Sequence, residues 1–231
     1  MSPNHEQKNT LCTLIISCQL YKDKWPQLME TMRNHKNDDY YIVYGDPNLP
    51  VTGHLFGRFI ILQCNDYYEG LPEKVSALYK FISTNSTINS QGYTHFLKID
   101  DTNKIHPQFN FKQLEATIDS DYEGALFFGP QDIQNREYQF RRYHFGRCTD
   151  PYINTTPYKG NVVKYCGGGA YILSKHSVNL FQDIKTQDLE GEYYEDLFVG
   201  KVLLKRFIIP HINSYARFYT NKEEDLLYPA Y

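Results

Sequence analysis

The alternation of apolar runs with amphipathic segments is the feature that most limits the fold. Residues 10–17 (TLCTLIIS) form a continuous apolar run, which is typical of a strand buried on both faces. Further strand-like runs follow at 40–44, 58–64, 94–99 and 124–128. Amphipathic segments of helical spacing lie at 24–34, 71–83 and 109–118. This order favours an α/β fold with parallel strands.

The second part of the chain has a different pattern. Residues 129–165 are rich in Tyr, Arg, Asn, Pro and Gln and have weak periodicity, so we predict a long, partly ordered excursion that carries binding residues. Regular structure is predicted again at 170–173 (strand), 175–184 and 194–205 (helices) and 207–212 (strand). Because 231 residues suit one domain, we predict a disordered tail at 1–9 and one domain at 10–231, with a nucleotide-binding-like first half (10–130) and a loop-rich second half (131–231).

Composition excludes several classes of protein. With 24 Lys+Arg against 27 Asp+Glu, the formal charge of −3 gives no electrostatic reason to expect nucleic acid as a partner. No apolar window is long enough for a transmembrane segment, and the polar N-terminus does not resemble a secretory signal. The five cysteines form no CxxC pair, which favours reduced thiols in a cytosol-like compartment. We therefore expect a cytoplasmic protein, unless an N-terminal membrane anchor has been removed.

Tyrosine is unusually abundant, with 21 Tyr in a chain that is 16% aromatic. Tyr67 and Tyr68 precede the second predicted helix, and Tyr193 and Tyr194 precede the last one. An aromatic ring with a polar tip is often found lining a groove for a polar ligand, so we predict ligand contacts for these two clusters. The alternative is ordinary packing, which we predict for the tyrosines of the second strand, at positions 40, 41 and 44.

An acidic turn follows the fourth predicted strand. Ligands of open α/β sheets bind beyond the carboxyl ends of the strands, and Asp100 and Asp101 fall at such an end. A divalent cation would offset the cost of burying two adjacent carboxylates, and oxygen ligands suit Mg²⁺ or Mn²⁺. An Asx turn or a helix cap is the alternative. A second acidic sequence at 119–121 (DSD) lies between a helix and the start of a strand, and we interpret it as a turn.

Two more motifs occur in the second half. Three glycines (167–169) stand directly before a strand, where they permit close approach of the backbone to a ligand or simply make a flexible turn. Glu195 and Asp196 then open a helix. They either complement the helix dipole or place one carboxylate in the cleft as a general base.

Four segments taken in order resemble the β-1,3-galactosyltransferase and Fringe-like glycosyltransferase family. They are 66–74 (DYYEGLPEK), similar to D-x-Y-x-N-L-T-x-K; 98–102 (KIDDT), similar to K-x-D-D-D; 168–174 (GGAYILS), similar to G-x-G/A-Y-x-L/M-S; and 195–200 (EDLFVG), similar to E-D-V-x-x-G. The match spans roughly residues 60–200.

This resemblance implies a GT-A fold, a Rossmann-like mixed sheet flanked by helices in a single domain. Residues 10–130 would form its nucleotide-binding half and residues 131–231 its acceptor and catalytic half. It implies an inverting, Mn²⁺-assisted (or Mg²⁺-assisted) transfer from a UDP-sugar. Asp100 and Asp101 would address the ribose and the metal, Asp66 and Lys74 the nucleotide, and Gly168 and Gly169 the sugar. Asp196 would be the base, with Glu195 as the alternative.

One position departs from the family pattern. Thr102 stands where the family commonly has the acidic metal ligand, and a hydroxyl is a weaker ligand than a carboxylate. Looser metal binding, compensation by Asp101 and loss of transferase activity are the three outcomes. The family often adds a histidine ligand beyond the base, and His211 is the one histidine that follows Asp196.

The leading expectation is therefore a hexosyltransferase that moves a hexose or N-acetylhexosamine to a hydroxyl of a glycan or glycoprotein acceptor. The alternatives are a catalytically inactive relative that binds a nucleotide-sugar or a glycan, and a metal-dependent phosphodiester hydrolase that uses the same acidic turn. Eukaryotic members of this family are usually anchored in the Golgi, so the resemblance implies the Golgi lumen only if an N-terminal anchor has been removed. The absence of such an anchor suggests a viral or microbial source, and so does a composition biased toward Asn, Lys, Ile and Tyr.

Overall fold

The computed structural model describes residues 9–125, 127–134, 136–213, 215 and 219–220. Eight strands form one mixed sheet, with two further pairs of short strands beside it. The strands in chain order are β1 (Leu11–Ile16), β2 (Tyr40–Gly45), β3 (Gly53–Phe56), β4 (Phe59–Leu62), β5 (His95–Asp100), β6 (Lys104–Ile105), β7 (Tyr122–Gly124), β8 (Phe127–Phe128), β9 (Tyr165–Cys166), β10 (Ala170–Ser174), β11 (His211–Ile212) and β12 (Tyr219–Thr220).

The α-helices pack on both faces of this sheet. They are α1 (Trp25–Asn34), α2 (Leu71–Thr84), α3 (Ser86–Ser90), α4 (Phe111–Thr117), α5 (Pro130–Gln134), α6 (Glu137–Phe140), α7 (Lys175–Asn179) and α8 (Glu195–Leu204). Short 3₁₀ helices lie at Gln19–Lys24, Tyr68–Gly70, Ile153–Thr155, Leu180–Asp183 and Thr186–Leu189. No helix in these described ranges is long and apolar enough to cross a membrane.

The strand order in the large sheet is β11-β7-β10-β5-β1-β2-β4-β3. The strands β5, β1, β2 and β4 are parallel neighbours, whereas β10 runs antiparallel to both β5 and β7, and β3 forms an antiparallel edge with β4. The fold is therefore α/β with a mixed sheet in a single compact domain, as the resemblance implied at this coarse level.

Strand β1 shows why the sheet is covered on both sides. Its side chains alternate between two cores: Leu14 and Ile16 pack into the core that contains α2 and α8, while Leu11 and Ile15 pack into the core that contains α1 and α4. All six residues of β1 are buried. A continuous apolar run is what a strand between two helical layers requires.

Several elements differ from the sequence-based expectations. The strand expected at 124–128 is two strands, because β7 belongs to the large sheet whereas β8 pairs with β9. The edge strand β3 was missed, since its residues alternate between partly buried and exposed and form no apolar run. The helix expected at 175–184 is α7 followed by a 3₁₀ turn, and the last expected strand is reduced to β11.

The excursion at 129–165 contains short helices and turns around its own small core. This core comprises Ile133, Tyr158, Tyr165, Tyr194 and Leu197. The tail expected at 1–9 lies outside the described residues except for Asn9, whose side-chain amide donates to the Ile118 carbonyl oxygen at 2.9 Å. All five cysteines are free thiols, consistent with the expectation of reduced cysteines.

Candidate functional site

Strands β1 and β5 are neighbours, and the chain adds its next strands on opposite sides of β1. From β1 the chain runs outward to β2 and β4, then returns to place β5 on the other side of β1. Such a topological switch point leaves a crevice above the strand ends, and nucleotides bind in crevices of this kind. Asp101 lies there, and its Oδ2 accepts a 2.7 Å hydrogen bond from the Ser17 hydroxyl at the end of β1.

Asp101 is thus held in the crevice with part of its carboxylate available. Burial raises the pKa of this carboxyl, while the hydrogen bond from Ser17 opposes the shift. Lys24 and Lys74 are the cationic groups whose fields reach it. Trp25 supports the arrangement, since its indole nitrogen donates to the Ser17 hydroxyl oxygen at 2.9 Å.

Lys98 connects the acidic turn with the other two motifs. Its side chain is 1% exposed, and Nζ lies 2.6 Å from Asp100 Oδ1 and 3.0 Å from Glu195 Oε1. The same ammonium donates to the Gly168 carbonyl oxygen. No role was predicted for Lys98. A lysine inside an otherwise apolar strand nevertheless indicates that a buried negative partner is near.

The second acidic pair lies beside the glycine run. Asp196 Oδ2 accepts a 2.9 Å hydrogen bond from the Gly168 amide, and Oδ1 accepts a 2.8 Å bond from the Leu197 amide. Burial raises the pKa of Asp196, and these amide hydrogen bonds oppose the shift. Glu195 is more deeply buried, and burial raises its pKa to about 7 in spite of the opposing charge of Lys98.

Gly168 is required here for a steric reason. A Cβ atom at this position would lie 3.1 Å from Glu195 Oε2 and 3.2 Å from Asp196 Oδ2. The missing side chain lets both carboxylates approach the backbone of residue 168. Gly169 contributes through its carbonyl oxygen, which accepts from the Asn103 side-chain amide and from the Asp100 backbone amide. Asn103 is a further site residue that the sequence did not indicate.

Asp66 and Lys74 form a buried pair under the same crevice. Lys74 Nζ lies 2.7 Å from Asp66 Oδ1 and donates to the Ser17 carbonyl oxygen at 2.8 Å. Asp66 also accepts 2.6 Å hydrogen bonds from the Gly45 and Gln19 amides. Both carboxylate oxygens of Asp66 are therefore engaged in fixing the ends of β1 and β2.

The structure does not bring all the expected metal ligands together. Thr102 follows Asp101 in the turn and is exposed. His211 lies in β11, three strands away from β5 and in register with Glu123 of β7. Three strand spacings amount to roughly 14 Å, so His211 belongs to the far edge of the sheet. Over the described ranges no group of three His, Cys, Asp or Glu side chains is arranged to hold a metal.

The acidic turn still fits a cation that is bound jointly with a diphosphate. Mg²⁺ and similar ions are commonly held by one or two carboxylates together with substrate phosphates, so a protein cage of three ligands is not required. Asp101 and Thr102 would supply carboxylate and hydroxyl oxygens. Asp100 is less available because Lys98 occupies its Oδ1.

Some of these tyrosines pack in the protein interior, and others lie near the candidate site. Tyr194 is buried, and its hydroxyl donates to the Phe140 carbonyl oxygen at 2.6 Å and lies 2.8 Å from His144 Nδ1. Its role is to pack the excursion, so the ligand contact predicted for this residue is wrong. Tyr40 and Tyr41 pack in β2 as predicted. Tyr68, by contrast, lies close enough to Asp196 for that charge to affect its pKa.

The acidic sequence at 119–121 has a structural role, as its interpretation as a turn requires. Glu123 accepts from the Asp119 and Ser120 amides at 2.7 and 2.6 Å, and Asp121 accepts from the Ser174 hydroxyl. It lies before β7, at the end of the sheet opposite to the crevice.

No family model matches the chain, and no curated protein matches it.

Proposed function

We propose that this protein is an inverting glycosyltransferase with a GT-A fold, which moves a hexose or an N-acetylhexosamine from a UDP-sugar to a glycan hydroxyl. The observation that carries the proposal is the junction made by Lys98 and Gly168. Lys98 binds Asp100, Glu195 and the Gly168 carbonyl, while the Gly168 amide binds Asp196. Three motifs far apart in sequence are thereby joined at one crevice.

The sheet supports this proposal. The crevice lies at a topological switch point, which suits a nucleotide, and the antiparallel β10 between β5 and β7 carries the glycine run to its rim. A UDP-sugar lying across the ends of β1 and β5 would meet Asp101 first. Lys24 and Lys74 add positive potential near that carboxylate.

A cation held by Asp101 and Thr102 would stabilise the negative charge that develops on the departing diphosphate. Asp66 and Lys74 would act indirectly, by fixing the strand ends beneath the nucleotide. Lys98 would hold Asp100 and Glu195 in place, so that neither moves toward the donor.

Asp196 is the proposed general base. It is partly exposed, whereas Glu195 is buried against Lys98. Its two amide hydrogen bonds fix its orientation, and its raised pKa strengthens it as a proton acceptor. The acceptor hydroxyl would give its proton to Asp196 as its oxygen bonds to the anomeric carbon. The bonding electrons between that carbon and the diphosphate oxygen would leave with UDP, and the anomeric configuration would invert.

The test is transfer from a panel of UDP-sugars in the presence of Mn²⁺, comparing the wild-type protein with Asp196→Asn. Loss of a proton acceptor is expected to lower kcat by roughly 10²- to 10⁴-fold with little change in UDP affinity. Asp183→Asn is the matched control, because this carboxylate is exposed and pairs only with Arg206 at 3.5 Å. Equal turnover by wild type and Asp196→Asn would remove the proposed base.

A second candidate function is a catalytically inactive relative that binds a nucleotide-sugar or a glycan. The hydroxyl of Thr102, in place of a carboxylate, is the observation that favours it. Calorimetry with UDP and Mn²⁺ followed by a transfer assay separates the two. Tight UDP binding without any turnover over the whole donor panel would support the inactive relative.

A further inference from the structure

Arg147 is an exposed cation at the rim of the candidate site. Its guanidinium carbon lies 3.9 Å from the ring centroid of Tyr143 and 5.7 Å from that of Tyr68. The excursion that carries it holds four arginines and two lysines against three acidic residues, in a protein whose net charge is −3. Positive charge is therefore concentrated on this segment.

Hydrogen bonds hold the backbone on both sides of Arg147. Asn154 Oδ1 accepts from the amides of Gly146 at 2.5 Å and Cys148 at 3.4 Å. The Glu69 carboxylate accepts from the Thr149 amide at 3.1 Å and from the Thr149 hydroxyl. Since Glu69 follows Tyr68 directly, this contact fixes the Arg147 loop over the Tyr68 ring. The loop would therefore lose little conformational entropy when a ligand binds.

The Arg147 charge lies on the side of the site where the proposed base stands. Tyr143, on whose ring Arg147 stacks, contacts the ring of Tyr194 at a centroid distance of 6.4 Å, and Tyr194 lies two residues before Asp196. The cations near Asp101, on the donor side, are Lys24 and Lys74. Arg147 is thus placed to meet the substrate that approaches Asp196, which is the acceptor.

The guanidinium has no carboxylate partner. Within the residues that the structure describes, no Asp or Glu oxygen lies within ion-pair distance of Arg147. Two acidic side chains of this region have other partners: Glu69 accepts from Thr149 and the Asp150 amide, and Asp150 accepts from the Tyr152 and Ile153 amides. A planar guanidinium that is stacked on rings keeps its edge free for a bidentate contact with a carboxylate.

We propose that Arg147 binds the carboxylate of an acidic acceptor sugar, so that this protein selects a hexuronic acid over the corresponding neutral hexose. Tyr143, on which Arg147 stacks, is 56% exposed, and its ring suits contact with the same sugar. This proposal rests on the function proposed above, because it assigns the Asp196 side of the crevice to the acceptor.

The test compares two probes that differ only at C6, methyl β-glucuronide and methyl β-glucoside. Their dissociation constants are measured by ligand-observed NMR with UDP and Mn²⁺ present, and UDP affinity is measured separately. Wild type is expected to bind the glucuronide roughly three- to tenfold more tightly, because the pair is charge-assisted but exposed to water. Arg147→Ala is expected to abolish this preference and leave UDP affinity unchanged.

Arg142→Ala is the matched control. Arg142 also stacks on a tyrosine, 3.7 Å from the Tyr138 ring centroid, but makes no contact with Tyr68. It is expected to retain the preference. Equal affinity of wild type for both probes would overturn the proposal, as would an Arg147→Ala variant that loses UDP affinity but keeps the preference, since the anion bound would then be the donor diphosphate. Absence of UDP binding to wild type would instead count against the proposed function itself.

Discussion

Lys98 Nζ lies 3.0 Å from Glu195 Oε1, and this ion pair joins β5 to the first turn of α8. The pair is buried, with the two side chains 1% and 7% exposed. Among the residues that the structure describes, none donates a further hydrogen bond to Glu195 Oε1. Charges that are removed from water in this way stabilise a fold only while both partners are present. The geometry of the crevice consequently depends on a lysine that need not touch substrate.

Replacing Lys98 with methionine is expected to lower the free energy of unfolding by about 3 kcal/mol at pH 8, because Glu195 and Asp100 lose their cation. The loss is expected to be smaller at pH 6, where a protonated Glu195 relieves the cost. Urea denaturation at both pH values measures this. Lys205→Met is the control, since Lys205 is exposed and its pair with the partly exposed Asp188 should contribute less than about 1 kcal/mol. An equal loss in the two variants would contradict the prediction.

Glu195 is expected to make stability depend on pH. The folded carboxyl holds its proton up to about pH 7, against 4.5 for the ordinary side chain. Between these values the folded state binds more protons than the unfolded state, so the free energy of unfolding falls as pH rises, by up to roughly 3 kcal/mol. Glu195→Gln should flatten this dependence between pH 5 and 8. Parallel stability curves for the two proteins would exclude Glu195 as the source.

A methyl group at position 168 is expected to impair transfer more than folding. In Gly168→Ala the new Cβ would push against Glu195 Oε2 and Asp196 Oδ2, so at least one carboxylate must move by a few tenths of an ångström. We expect kcat to fall roughly tenfold or more, since misplacing a base by a small distance is costly. Gly129→Ala serves as the control, because its Cβ would lie 3.5 Å from the nearest atom. Wild-type kcat in Gly168→Ala would refute the steric requirement.

Asp66 is expected to matter for stability before it matters for nucleotide binding. Asp66→Asn removes the charge opposite buried Lys74, and one amide nitrogen would face a backbone donor, so we expect a loss of about 3 kcal/mol. Thermal unfolding of this variant, with exposed Asp23→Asn as the control, measures the effect. A variant with unchanged Tm and weakened UDP binding would show instead that Asp66 contacts the nucleotide directly.

Local sequence pattern was sufficient for the elements that lie in the middle of the sheet. Strands β1, β2 and β5 and helices α1, α2 and α8 were predicted within a few residues of their bounds, because buried strands and amphipathic helices impose a strong periodicity. Edge strand β3 was missed because its residues alternate between partly buried and exposed, so they form no continuous apolar run. The run at 124–128 was taken as one strand, although β7 ends at Gly124 and Phe127–Phe128 pair with β9.

The sequence by itself determined the α/β class, the acidic turn after β5, and the presence of a glycine run and a second acidic motif. Only the tertiary structure decided which of these residues meet. It joined Asp100, Glu195 and Gly168 through Lys98, engaged both oxygens of Asp66 in fixing strand ends, and left His211 three strands away. The physical reason is that the periodicity of a sequence indicates only which face of a helix or strand is buried. Strand order determines which loops share a crevice, and it arises from contacts between segments that are distant in sequence.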